Sequence, residues 1–139
     1  MLLKLESFSN AVARLEESLR RCEREPEDAQ LRDGLIQRFE FTYEVAFNLL
    51  KRCVEHSASS KEVVSNLDFS EVIRQGWELG LLREEVGVWR SFRRRRNVMS
   101  HTYNEANAIE VCAEIPRFLA EAKFLLSQLE KRNDDAPLD

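Results

Sequence analysis

Residues 35–54 read Leu35-Ile36-Gln37-Arg38-Phe39-Glu40-Phe41-Thr42-Tyr43-Glu44-Val45-Ala46-Phe47-Asn48-Leu49-Leu50-Lys51-Arg52-Cys53-Val54. Ile36, Phe39, Tyr43, Ala46, Phe47, Leu50 and Val54 form a stripe at helical spacing, which defines one face of an α-helix rather than the two-residue alternation of a strand. Phe41 and Val45 fall off that stripe, so the helix is expected to be buried on more than one side. It should run to about His56, where the imidazole suits the negative end of the helix dipole. Upstream, Pro26-Glu27-Asp28 suits a helix start, with proline tolerated in the first turn and acids near the positive end.

The same reading extends along the chain. Leu5, Phe8, Val12, Leu15 and Leu19 are spaced three and four apart, giving a first helix that stops before Pro26. Residues 57–67 are a polar connection with room for one helical turn. Asp68 or Ser70 then caps a short helix through Leu79, closed by Gly80. A fourth helix starts near Glu84-Glu85-Val86. Asn104 suits the N-cap of a fifth, from about Glu105 to Lys131, with Val111, Ile115, Phe118, Ala122, Leu125 and Leu129 as its core stripe. Pro116 lies inside that pattern and should kink it, because a mid-helix proline costs about 3 kcal/mol. No strand and no internal repeat emerges. The expected fold is all-α: an antiparallel up-and-down four-helix bundle with one additional short helix. Residues 1–132 make the single domain, and 133–139 a flexible C-terminal tail.

Composition narrows the function. The 139 residues suffice for one real core. Of them 33% are charged and the net charge is −4, which argues against a protein that coats nucleic acid generally. The distribution says more than the sum. Residues 90–96, Arg-Ser-Phe-Arg-Arg-Arg-Arg, carry +5, leaving −9 for the remainder. A local cationic site on an acidic body attracts a polyanion at one place. Cys22, Cys53 and Cys112 are far apart with no C-x-x-C, so buried free thiols are expected rather than metal ligands, and a reducing cytoplasm suits them. The amphipathic start resembles no signal peptide, and no apolar run approaches the roughly 20 residues of a membrane span. No cofactor, metal or membrane association is expected.

The cationic segment leads into Arg96-Asn97-Val98-Met99-Ser100-His101-Thr102-Tyr103. At about 100° per residue from Trp89, Phe92, Arg96, Met99 and Tyr103 fall near 300°, 340°, 280° and 320°. Arg96 thus sits in an apolar stripe and needs a carboxylate, a phosphate or a polar interface opposite it. Arg93, Asn104, Asn97, Arg90, His101 and Arg94 share the other face, between about 40° and 140°. Arg96 and His101 are about 140° apart, so one helix does not aim both at one small target. Two copies crossing at a two-fold axis make a composite cleft, which motivates a homodimer or higher homo-oligomer. Simpler readings exist: an arginine-rich face is often solvated or ion-paired, a histidine near a helix end often serves the dipole, and a tyrosine on an apolar stripe is often core.

Arg96-Asn97-x-x-x-His101-x-Tyr103-Asn104-Glu105 resembles the signature of HEPN domains, closest to the branch called nucleotidyltransferase substrate-binding proteins. Leu31 through Glu44, Val72-Ile73-Arg74 and Glu78-Leu79-Gly80-Leu81 extend the likeness along nearly the whole chain. The resemblance implies a helical bundle that dimerises and is encoded beside a minimal nucleotidyltransferase as a toxin–antitoxin pair. It further implies that Arg96 and His101 are the pair of a metal-independent endoribonuclease, accompanied by Asn97. It also implies that Tyr103 is the residue the partner enzyme adenylylates. One departure stands out: relatives often carry an acid just before the Arg-Asn pair, where this chain has Arg95, making the site more cationic and depriving Arg96 of its local counter-charge. Within that frame Arg90, Arg93 and Arg94 would hold RNA phosphates. The alternative is a non-catalytic substrate-binding subunit of a nucleotidyltransferase complex.

Overall fold

A computed structural model of the chain describes residues 2–57, 67–101 and 104–135, without the side chains of residues 98–101. It is all-helical: α1 (Glu6–Arg24), α2 (Ala29–Ser57), α3 (Phe69–Glu78), α4 (Val86–His101) and α5 (Glu105–Asp134). The four long helices form an up-and-down bundle with α3 as the short addition. α2 packs against every other helix, while α4 lies against α2, α3 and α5.

The stripes read from sequence are the core. Phe8, Val12, Leu15 and Leu19 of α1 are buried, as are Ile36, Phe39, Tyr43, Leu50 and Val54 of α2 and the stripe of α5. Phe118 sits at the centre, edge-on to Phe39 at 5.1 Å and to Phe92 at 5.2 Å, with Trp89 T-shaped on Phe92 at 5.5 Å. Each such side chain contributes about 1.5–3 kcal/mol through burial. Phe41 differs from expectation. It is 53% exposed, and Val45 is only partly buried, because nothing among the described residues covers that side of α2.

Local chemistry sets the ends. Asp28 accepts from the N–H groups of Gln30 (2.9 Å) and Leu31 (3.1 Å), so α2 starts after the acid, and Pro26 belongs to the preceding turn rather than to the helix. Asp68, not Ser70, caps α3 by accepting from Glu71 N–H at 2.9 Å. Gly80 follows with φ +78°, a conformation that favours glycine. Gly76 is a different case: a Cβ there would stand 2.7 Å from Leu50 Cδ1, so its absence lets α3 approach α2. Asn104 accepts from Asn107 N–H at 2.8 Å and caps α5, which removes it from the polar face of α4. α5 passes Pro116 as one element and runs past the expected end. Asn133 accepts from Leu3 N–H (2.9 Å) and donates to Leu3 C=O (2.8 Å), fastening the last turn to the start of the chain. Cys53 is buried and Cys22 and Cys112 half-buried, all three as free thiols.

Candidate functional site

The stance of α4 is fixed at its first turn. Glu121 of α5, 2% exposed, accepts three N–H groups: Arg83 N (3.1 Å), Glu84 N (2.9 Å) and Trp89 Nε1 (2.9 Å). A buried carboxylate is tolerable when its lone pairs are so engaged. Trp89 and Phe92, fully buried, then lock the rotation of α4. Arg93 and Arg96 consequently turn toward α2 and α3, and Arg95 turns toward α5.

That rotation sorts the arginine cluster. Arg95 bonds Glu114 (Nε to Oε2, 2.8 Å) and Glu110 (Nη1 to Oε2, 3.0 Å), so it braces α4 against α5 and does not make the site more cationic. Arg90 donates to Ser70 Oγ at 2.7 Å. Arg93 lies 4.8 Å over the Phe69 ring. Arg94 and Asn97 are exposed. Arg96 finds the counter-charge its own helix lacks in Glu44 of α2, Nη2 to Oε1 at 2.9 Å. Its Nη1 reaches Asn97 Oδ1 at 3.4 Å, and its guanidinium stands 6.0 Å from the Tyr43 ring. With Arg96 33% and Glu44 58% exposed, this pair is worth about 0–1 kcal/mol, so a ligand anion displaces or shares it at little cost.

Arg93 and Arg96 line an open cleft of about 280 Å³ with Glu44, Asn48 and Lys51 of α2. Its apolar wall stacks Tyr43 on Phe47 at 6.2 Å and Phe47 on Phe69 at 5.4 Å. Burial pushes the Tyr43 hydroxyl up to about 12 despite the pull of Arg93 and Arg96, so it stays protonated at neutral pH. Burial also raises Glu40, against the attraction of Arg96 and with the help of Glu44. The arrangement suits a phosphate: two guanidiniums and an ammonium at a partly apolar, open groove. Among the described residues, no three His, Cys, Asp or Glu side chains gather as a metal-ligand set.

Backbone at His101 closes α4, five residues beyond Arg96; its side chain and Tyr103 lie outside the described residues. Of the residues singled out from sequence, the fold brings Arg93 and Arg96 into one cleft. Arg90 is engaged with Ser70 of α3, and Arg94 is exposed. Sequence reasoning missed Glu44, Asn48 and Lys51. The available signal was the unmet charge of Arg96, which called for an acid on a facing helix. Glu121 was missed because one acid beside an apolar stripe reads as surface.

Comparison with known proteins gives the family and the fold. Residues 3–131 match the family described as nucleotidyltransferase substrate binding protein like. A Haemophilus influenzae protein named probable ribonuclease HepT is 37% identical over 100 residues, 72% of this chain and 68% of that protein. The solved structure of HI0074 from Haemophilus influenzae, described as revealing the fold of a substrate binding domain of a nucleotidyltransferase, superposes with a TM-score of 0.84. It is 30% identical, with 91% of this chain and 99% of that one covered. A crystal structure of a Thermus thermophilus protein gives a TM-score of 0.71 at 29% identity, covering 88% of this chain and 98% of that one. The chain belongs to the nucleotidyltransferase substrate binding protein-like family.

Proposed function

We propose that this chain is a HepT-type toxin: a metal-independent endoribonuclease that works as a homodimer and is neutralised by a cognate minimal nucleotidyltransferase. The observation that carries the reading is Arg96, held at the mouth of a cationic cleft by a weak, exchangeable ion pair. The name of the Haemophilus influenzae relative supports it. RNA cleavage without metal uses the ribose 2′-hydroxyl as nucleophile, and needs a base for its proton and an acid for the leaving oxygen. Arg96 stabilises the charge that builds on phosphorus, His101 moves a proton, and Asn97 orients Arg96. Arg90, Arg93 and Arg94 hold the flanking backbone. Because ideal helical spacing sets positions 96 and 101 about 140° apart, this reading calls for a second protomer to complete the site. An adenylyl group on Tyr103 adds a bulky anion two residues from His101 and competes with RNA.

The test is expression and assay of wild type against His101→Ala. Wild type arrests growth in the absence of its partner and, when purified with chelator present, cleaves RNA. His101→Ala does neither while keeping the same oligomeric mass. A pure wild type that leaves RNA intact and is harmless when expressed alone sinks the reading. Co-expression with the partner and ATP adds one or more AMP masses mapping to Tyr103; an unmodified Tyr103 excludes it as the control point. A second reading is favoured by the family description: a non-catalytic subunit that serves a nucleotidyltransferase. It requires a stable complex with that enzyme that tolerates His101→Ala.

A further inference from the structure

The cleft holds an oddity for a phosphate site. Lys51, Arg93 and Arg96 attract an anion, yet the Glu44 carboxylate stands among them, 2.9 Å from the arginine proposed to hold the phosphate. A carboxylate repels phosphate. What it accepts well is a hydroxyl proton. In RNA such a hydroxyl adjoins the 3′-phosphate on the same ribose. Arg96 meets Glu44 through Nη2 and Asn97 through Nη1, which leaves further guanidinium N–H groups for a phosphate, and Glu44 is the carboxylate that lines the cleft where a neighbouring 2′-hydroxyl would need an acceptor. The other groups at the cleft do not compete for this task. Lys51 is a donor only, Asn48 does not titrate, and the Tyr43 hydroxyl holds its own proton at neutral pH.

We propose that Glu44 is the base that receives the proton of the ribose 2′-hydroxyl while Arg96 holds the adjoining phosphate, leaving His101 to act as the acid. This assignment rests on the ribonuclease reading and divides its proton transfers between two groups. The 2′-O–H bond breaks as its proton passes to Glu44, and the 2′-oxygen bonds to phosphorus. The P–O5′ bond breaks, and the departing 5′-oxygen takes a proton from the imidazolium of His101. The products are a 2′,3′-cyclic phosphate and a 5′-hydroxyl. Glu44 then returns its proton through water to the imidazole, which restores both groups with no metal, oxidant or reductant. The charges facing Glu44 are Arg96 and Arg93 from α4 and Glu40 and Lys51 from its own helix; the cleft residues of α3 and the segment before it, Leu67, Phe69 and Val72, are apolar.

The experiment compares the full-length wild type with Glu44→Gln and Glu44→Asp, using a fluorescent single-stranded oligonucleotide with one ribose among 2′-deoxy linkages. Glu44→Gln should lower kcat by about 10²- to 10⁴-fold with KM within about threefold, the range for loss of a general base. Glu44→Asp should retain part of the rate. The pH–rate profile of Glu44→Gln should differ in shape from that of wild type. A Glu44→Gln protein that cleaves like wild type with the same pH profile overturns the assignment alone. So does one whose KM rises while kcat holds, which makes Glu44 merely a support for Arg96. A faster or tighter-binding variant also overturns it, since the charge then only repels substrate. If wild type itself cleaves nothing, the ribonuclease reading and this assignment fall together. Glu44 is exposed, so matching thermal unfolding of the variants verifies that each result concerns chemistry.

Discussion

Glu121 carries a carboxylate into the core because three N–H groups converge there, and that convergence ties α5 to the loop before α4 and to Trp89 itself. Glu121→Gln keeps the shape but exchanges one acceptor oxygen for an amide NH2, which faces donors rather than acceptors. The variant should lose about 2–4 kcal/mol of stability, the range for breaking a buried charged hydrogen-bond set. Urea unfolding measures it; a loss under about 0.5 kcal/mol, as typical of surface substitutions, disproves the clamp. Cys112 offers a second residue-scale test. Burial first, then the neighbouring Cys22, pushes its thiol up to about 11. A raised pKa empties the thiolate, the reactive form, so at pH 8 native Cys112 should alkylate far more slowly than in urea. Labelling followed by mass spectrometry reads the ratio, and equal rates refute the burial argument.

At the scale of the element, α4 divides its five arginines by direction. Arg95 pairs with two acids of α5, whereas Arg93 faces the open cleft. Arg95→Ala should therefore cost about 1 kcal/mol of stability, as for a partly exposed network, and leave RNA affinity unchanged. Arg93→Ala should leave stability within about 0.5 kcal/mol and reduce the salt slope of RNA binding by about one contact. The reverse outcome would mean the helix is rotated from the orientation described. This division also marks what the sequence alone discloses. The stripe of α4 was legible because Trp89 and Phe92 obey helical periodicity, and so were the caps Asp68 and Asn104, whose side chains act on their own backbone. Arg95 was read as making the site more cationic because its partners, Glu110 and Glu114, belong to another helix. Glu44 went unassigned for the same reason: periodicity predicts which side of a helix turns inward, not which residue of a neighbour it meets there. The exposed Phe41 misled because an off-stripe aromatic suggests a second packed side, yet the described part of the fold supplies no element to cover it.

For the molecule as a whole, an acidic chain that binds RNA as proposed needs its positive charge to act locally. The net charge of −4 includes +5 within residues 90–96, and pairing Arg95 with α5 removes one of those charges from play. Four arginines per protomer remain for the backbone of RNA: Arg90, Arg93, Arg94 and Arg96. Single-stranded RNA releases about 0.7 counterion per phosphate neutralised, so these four and Lys51 of the cleft predict a slope of log K against log salt of about −3.5 for each protomer. The acidic remainder opposes every phosphate beyond these, so the slope should stop growing once the oligonucleotide outruns the cleft. The measurement is fluorescence anisotropy with the His101→Ala protein, expected to bind without cleaving, across oligonucleotides of about 4 to about 20 nucleotides. A slope that climbs steadily with length would mean that RNA runs over a broad surface, and the cleft would lose its claim to be the binding site. A slope near zero would mean that the arginines meet no phosphate at all. A plateau that doubles when a dimer-spanning oligonucleotide is used would require two clefts acting on one strand, as the proposed composite site of two protomers does.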